Sequence, residues 1–199
     1  MSKDMSLGRI GGCGCGGCGC GKPDSAVVAA ALELLGQCEG IVRQVPDRAY
    51  TGVSAGLDGG SVGKHVRHTM DHYAAIVRTL SEGGAVDYDH RERDVPMERD
   101  RVAALASIDA VKRSVRSMRA SDLDRGVTIR VMTDAAGTEA LLASSLGREV
   151  AFATHHAVHH LAMIKSIARE FGFTLAEGVG RAPSTLNHEQ AAGGGASRA

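Results

Sequence analysis

Histidines carry the first chemical signal in this sequence. His65, His68 and His72 fall within one short stretch, and His155, His156, His159 and His160 within another. On a helix each residue advances by about 100°, so positions i and i+4 share a face. His156 and His160 therefore project together, and His155 and His159 project from the neighbouring face. The row Ala153, His156, His160, Met163, Ile164, Ile167, Phe171 is the more apolar of the two rows. The row Arg148, Phe152, His155, His159, Ala162, Ser166 is the more polar. The first is the row expected to face a core. Buried ring nitrogens need partners, and two protonated rings side by side would repel. A divalent metal ion answers both demands, because neutral imidazole is a common ligand for such ions. A third nitrogen from a facing helix would complete an open site with a position left for water or substrate. The stretch holding His65, His68 and His72 offers it. The plainer reading of a helical histidine pair is a surface pair or a satisfied core pair. For His65 and His72 the favoured reading is a place behind the ligands or at the surface. His90 and His188 sit in polar segments and read as solvated.

Four helical patterns are expected to position these residues. The first runs from about Asp24 to Val45, with Val27, Leu34, Leu35, Cys38, Ile41 and Val42 at helical spacing; Pro46 ends it. The second runs from about Ser61 to Leu80 and stops at Gly83-Gly84. The third spans about Met97–Met118, with Val102, Leu105, Ile108, Val111 and Val115 as its stripe. The fourth starts near Ser144 or Ser145 and ends near Phe171. Between the third and fourth, Val127–Thr133 alternates with period two, as a strand does. Asp134–Gly137 reads as a turn, and Thr138–Ala143 as a returning strand. The fold class expected is all-α, a four-helix bundle with a small β-hairpin between helices three and four.

Composition narrows the field. The chain has 199 residues, 43% of them hydrophobic, which suits one domain with tails. Aromatics are 3% and there is no Trp, so the core must be aliphatic. A net charge of zero gives no electrostatic case for a nucleic-acid partner. No apolar run reaches the length of a membrane span, and Lys3 and Arg9 are followed by no apolar stretch of signal-peptide type. The compartment expected is cytoplasmic, where cysteines are thiols or metal ligands rather than disulfides.

The domain boundaries follow from glycine. Residues 1–22 contain Gly11–Gly21, a run of only Gly and Cys, and read as a disordered tail. Residues 23–188 form the helical domain, and residues 189–199 a second disordered tail. In the first tail, Cys13, Cys15, Cys18 and Cys20 could take a soft metal. With only glycine between them no geometry is pre-formed, and an opportunistic or redox-sensitive tail is the favoured reading. Arg91 and Arg93, in the polar segment Asp87–Asp94, could hold an anionic substrate; an ion-pair cluster with the neighbouring acids is the favoured reading. No Ser-His-Asp or phosphate-loop motif is present.

Two stretches resemble a known family. Val62-Gly-Lys-His-Val-Arg-His-Thr-Met-Asp-His-Tyr73 and His156-Ala-Val-His-His-Leu-Ala-Met-Ile164 are similar to the DinB-like superfamily, with its YfiT-like metal hydrolases and thiol-dependent transferases. Asp87–Asp94 and Ala182–Leu186 resemble one of its subfamilies, and the likeness spans roughly residues 24–187. The resemblance implies a four-helix bundle with a three-histidine metal site. It places the ligands at His68, ahead of Asp71, and at His156 and His160 of the His-x-x-His-His motif. Thr69 departs from the aliphatic residue usual there. His159 and Asp71 are the candidates for supporting catalytic roles. The cofactor implied is a divalent metal: Zn, Ni, Fe or Mn. The expected function is that of a metal-dependent hydrolase or thiol-dependent transferase. The expected partner is a small-molecule substrate, a low-molecular-weight thiol among the candidates. The alternative is a non-catalytic metal-handling protein that uses the Cys-rich tail. A third reading is a structural bundle that dimerises through an apolar helix face.

Overall fold

The computed structural model describes residues 25–92 and 94–195. The expectations about residues 1–22, Cys13, Cys15, Cys18, Cys20 and Arg93 lie outside the described residues. Helix α1 (Ala26–Gln44) starts where Ser25 accepts a hydrogen bond from the Val27 amide, and it turns Val28, Ala31, Leu35, Cys38 and Val42 inward. A short helix α2 (Asp47–Thr51) follows Pro46. Helix α3 (Val62–Glu82) is capped by Ser61, whose hydroxyl accepts from the Lys64 amide. A 3-10 turn at Pro96–Glu98 precedes α4 (Arg101–Ser117), capped by Asp100. The single-turn helix α5 (Ala120–Leu123) leads toward the sheet. Helix α6 (Leu146–Glu170) is capped by Ser145, and α7 (Pro183–Gly195) runs through the boundary expected at residue 189.

The long helices close a ring. Helix α1 packs on α4 and α6, and α3 packs on the same two helices. The core between them is aliphatic apart from the buried Tyr50 and Tyr73. Gly63 is where α3 meets the 3-10 turn. A Cβ there would lie 2.0 Å from the carbonyl oxygen of Glu98. Tyr50 fastens the same junction by donating its hydroxyl to the carbonyl of Met97 at 2.6 Å.

The all-α expectation is corrected by a three-stranded mixed sheet in the order β1-β2-β3. Strands β2 (Gly126–Met132) and β3 (Glu139–Ser145) form an antiparallel hairpin around the turn at Asp134–Gly137. Strand β1 (Ala85–Asp87) lies parallel to β2, with Val86 opposite Ile129. At three residues β1 is too short to show an alternating pattern. Only the tertiary pairing with β2 reveals it, and that pairing leaves β2 central and β3 at the edge. The chain is thus a mixed α and β structure. Among the described residues, no helix is long and apolar enough to cross a membrane.

Candidate metal centre

The neighbouring helices α3 and α6 bring the histidines together. His68 comes from the middle of α3, and His156 and His160 from one face of α6. The Nε2 atoms of His156 and His160 are 2.9 Å apart, and those of His156 and His68 are 3.2 Å apart. One ligand atom from each of the three lies within 4.8 Å of the others. Ligand nitrogens about 2.0–2.1 Å from a tetrahedral ion would stand about 3.3–3.4 Å apart. The two spacings from His156 are near that figure and the third pair lies within 4.8 Å, so the three nitrogens converge on a space of the size an ion needs. The donor set suits the same ion, since three neutral imidazoles are ordinary transition-metal ligands.

Burial and mutual proximity keep these rings neutral. The pKa of His160 falls to about 2, that of His68 to about 3 and that of His156 to about 4. Desolvation is the leading cause in each case, and neighbouring histidines add to it. A neutral ring is the form that can give a lone pair to a metal.

Two further α3 histidines touch the cluster. The His65 Nδ1 is 3.0 Å from the His160 Nδ1, on the side of the His160 ring away from the three converging nitrogens. His72 donates its Nδ1–H to the backbone carbonyl of His68 at 3.0 Å. Its ring lies 4.3 Å from that of His156 and stacks on Tyr88 at 4.8 Å. The Tyr88 hydroxyl donates to Glu149 Oε2 at 2.7 Å, and Ser144 donates to Oε1 at 2.5 Å. Glu149 is fully buried in the first turn of α6. A carboxylate held this deep fixes a tyrosine that in turn stacks on a histidine of the cluster.

The candidate supporting residues lie apart from this arrangement. His159 is exposed, its ring 5.5 Å from that of His160. Asp71 faces two guanidinium groups, with Arg67 Nε at 3.1 Å and Arg91 Nε at 3.6 Å. Burial nonetheless raises its pKa, the two arginines opposing the shift. Arg67 also bonds Glu98 at 3.0 Å and the carbonyl of Glu92. Arg91 thus belongs to an ion-pair cluster, but its acid is Asp71 of α3 rather than the neighbouring acids expected from sequence. An open cleft of 460 Å³ reaches the cluster, lined in part by Gly60, Lys64, His65, His68, Arg91 and His160.

The helical rows located the histidines but centred the stripe one position off. Helix α6 buries Val150, Ala153, Ala157, His160, Leu161 and Ile164, so His156 sits at the margin of the stripe. Sequence reasoning missed Tyr88 and Glu149 as parts of the site. Glu149 follows the capping Ser145 by four residues, which reads as an ordinary charged first turn. Tyr88 follows β1, which was itself invisible.

No family model matches the chain. Among curated proteins, FK506-binding protein 5 of Rhizopus delemar is 36% identical over 118 residues, covering 59% of this chain. The matched stretch spans 31% of that protein's own length. These findings correct the resemblance stated above. The relative found carries an FK506-binding name, so the DinB-like or YfiT-like assignment does not stand. The hydrolase, thiol-transferase and metal-handling functions drawn for the chain fall with it. What the comparisons leave untouched is the convergence of His68, His156 and His160.

Proposed function

We propose that this domain holds one divalent transition-metal ion through the Nε2 atoms of His68, His156 and His160. Zinc, nickel, iron and manganese all accept such a donor set. The observation that carries the reading is the convergence of three neutral imidazole nitrogens from two helices on a space of the size an ion needs. Three neutral donors leave the ion's double charge uncompensated. A fourth ligand from the 460 Å³ cleft would therefore be a water molecule or a small anionic molecule. A cytoplasmic location goes with this reading.

The test is metal content per chain, measured by plasma mass spectrometry on protein purified without a histidine tag and equilibrated with zinc. The expected result is near-stoichiometric metal that is lost in His156→Ala and in His160→Ala. Wild-type protein that emerges from equilibration without metal would overturn the reading.

A second reading follows the name of the relative. The observation favouring it is the identity of 36% over 118 residues with a protein named for binding FK506. Calorimetric titration with FK506 tests it. Saturable heat that persists in the His156→Ala variant would favour a ligand site independent of the histidines, and the absence of heat would remove the reading.

A further inference from the structure

His65 is the one cluster histidine whose geometry the three-ligand site does not explain. It cannot join the same ion, because its Nδ1 meets the His160 ring on the side opposite the converging Nε2 atoms. Its other nitrogen, Nε2, is buried and has no hydrogen-bond partner. Gly60 closes over it, since a Cβ at that position would fall 3.0 Å from Nε2. An unpartnered buried N–H costs about 1–3 kcal/mol. Fold stability alone therefore gives little reason for an imidazole here, because it meets the His160 Nδ1 only by leaving its own Nε2 without a partner.

The protons supply a reason. Two Nδ1 atoms 3.0 Å apart must share one hydrogen. If His65 donates, the His160 proton moves to Nε2, the nitrogen that faces His156 and His68. In that tautomer His160 has no lone pair for an ion. If His160 donates, its Nε2 is free to ligate and His65 carries its own proton on the orphaned Nε2. Ligating histidines usually donate their second ring N–H to a fixed acceptor, which sets both tautomer and orientation.

We infer that His65 is a positioning residue for the metal centre: its Nδ1 accepts the Nδ1–H of His160 and holds the His160 Nε2 lone pair toward the ion. This rests on the metal-binding reading above. The unpartnered Nε2 of His65 is then the consequence of keeping the acceptor on the other side of the ring.

The experiment is competition of zinc against a chromophoric chelator, for wild type, His65→Leu and His65→Asn, with far-UV circular dichroism on each. Leucine fills the space without an acceptor. Asparagine keeps an oxygen near the position of Nδ1. The expected result is zinc binding weakened about 10- to 100-fold in His65→Leu, with most of that loss recovered in His65→Asn and helicity unchanged in both. A folded His65→Leu that binds zinc as tightly as wild type would overturn the inference while leaving the three-ligand site in place. So would a folded His65→Asn as weak as His65→Leu, because ring volume rather than an acceptor would then be what matters. Wild type that does not compete for zinc overturns the parent reading and this one together.

Discussion

The two helix pairings of the ring make a contrast. Where α1 meets α4, the buried faces carry Cys38, Ile41 and Val42 on one helix and Ala104, Ile108 and Val115 on the other. Where α3 meets α6, the end near the cleft carries His65, His68, His72, His156 and His160, followed by Tyr73 donating or accepting a hydrogen bond with Thr154 at 3.0 Å. The first pairing removes mainly apolar surface from water, and its polar contacts, Lys112 with Glu39 and Arg101 with the Val42 carbonyl, are only partly buried. The second takes imidazole nitrogens from water and leaves them facing one another, which costs free energy without a proton or an ion between them. Chemical capacity is thus confined to one pairing, while apolar burial is shared by both, α3 contributing Val66, Met70 and Ile76 and α6 Val150, Leu161 and Ile164.

The largest effect that would test this division is a cavity on the dry side. Ile108→Ala should cost about 2–5 kcal/mol in urea unfolding while zinc stoichiometry stays at the wild-type value. A large loss of metal at full folding would show that the two sides are not separable. The next effect is steric. Gly63→Ala should cost about 1–3 kcal/mol, because the added methyl meets the Glu98 backbone rather than a flexible side-chain end. A neutral result would mean that the junction between α3 and the 3-10 turn is looser than its packing indicates.

The imidazole side should respond in the opposite sense. Replacing His68, His156 and His160 together by leucine should leave metal-free stability within about 1 kcal/mol of wild type at neutral pH, since paired polar groups replaced by apolar ones are nearly neutral. Acid separates the two proteins further. The three histidines have lowered pKa values in the folded state, so below about pH 6.5 the unfolded chain takes up protons that the native chain refuses. Metal-free wild type should therefore lose stability as pH falls below 6.5, the contribution of His156 running out near 4, that of His68 near 3 and that of His160 near 2, with no such contribution above 6.5. The triple leucine variant should show a shallower slope, the remainder coming from His65 and His72, whose pKa values burial also lowers. Equal slopes in urea unfolding at pH 7 and pH 5 would contradict the assignment of these rings as neutral. The smallest effect expected is at the sheet edge. Leu141, 66% exposed on β3, should tolerate lysine within about 0.5 kcal/mol, and neither metal content nor acid sensitivity should change.

The helices and the ligands were legible because their signals are local. Periodicity marked four long helices, and Ser25, Ser61, Asp100 and Ser145 supplied caps close to the boundaries read from the pattern. The spacing of His156 and His160 showed that they share a face. What the sequence withheld depends on distance along the chain. The pairing of β1 with β2 crosses more than forty residues, and three residues carry no period of their own. The support that Glu149 gives to Tyr88, 61 positions away, has no sequence signature. Nor does the contact of His65 with His160, across 95 positions. The family resemblance misled for a related reason. Short histidine motifs report a local arrangement on helices, and fold does not fix activity.

The 88 positions between His68 and His156 also bear on the order of events in folding. His156 and His160 become neighbours as soon as one turn of α6 forms, but the third nitrogen arrives only when two distant helices dock. Such long-range contacts form late, after the loop between them has closed. A bound ion would therefore select the finished chain over its precursors and raise the population of the native state by mass action. It would slow the opening of the α3–α6 seam and leave the rate of the first helical collapse untouched. In that sense the ion would act as a latch fitted after assembly, its occupancy a report that the two halves of the ring have met.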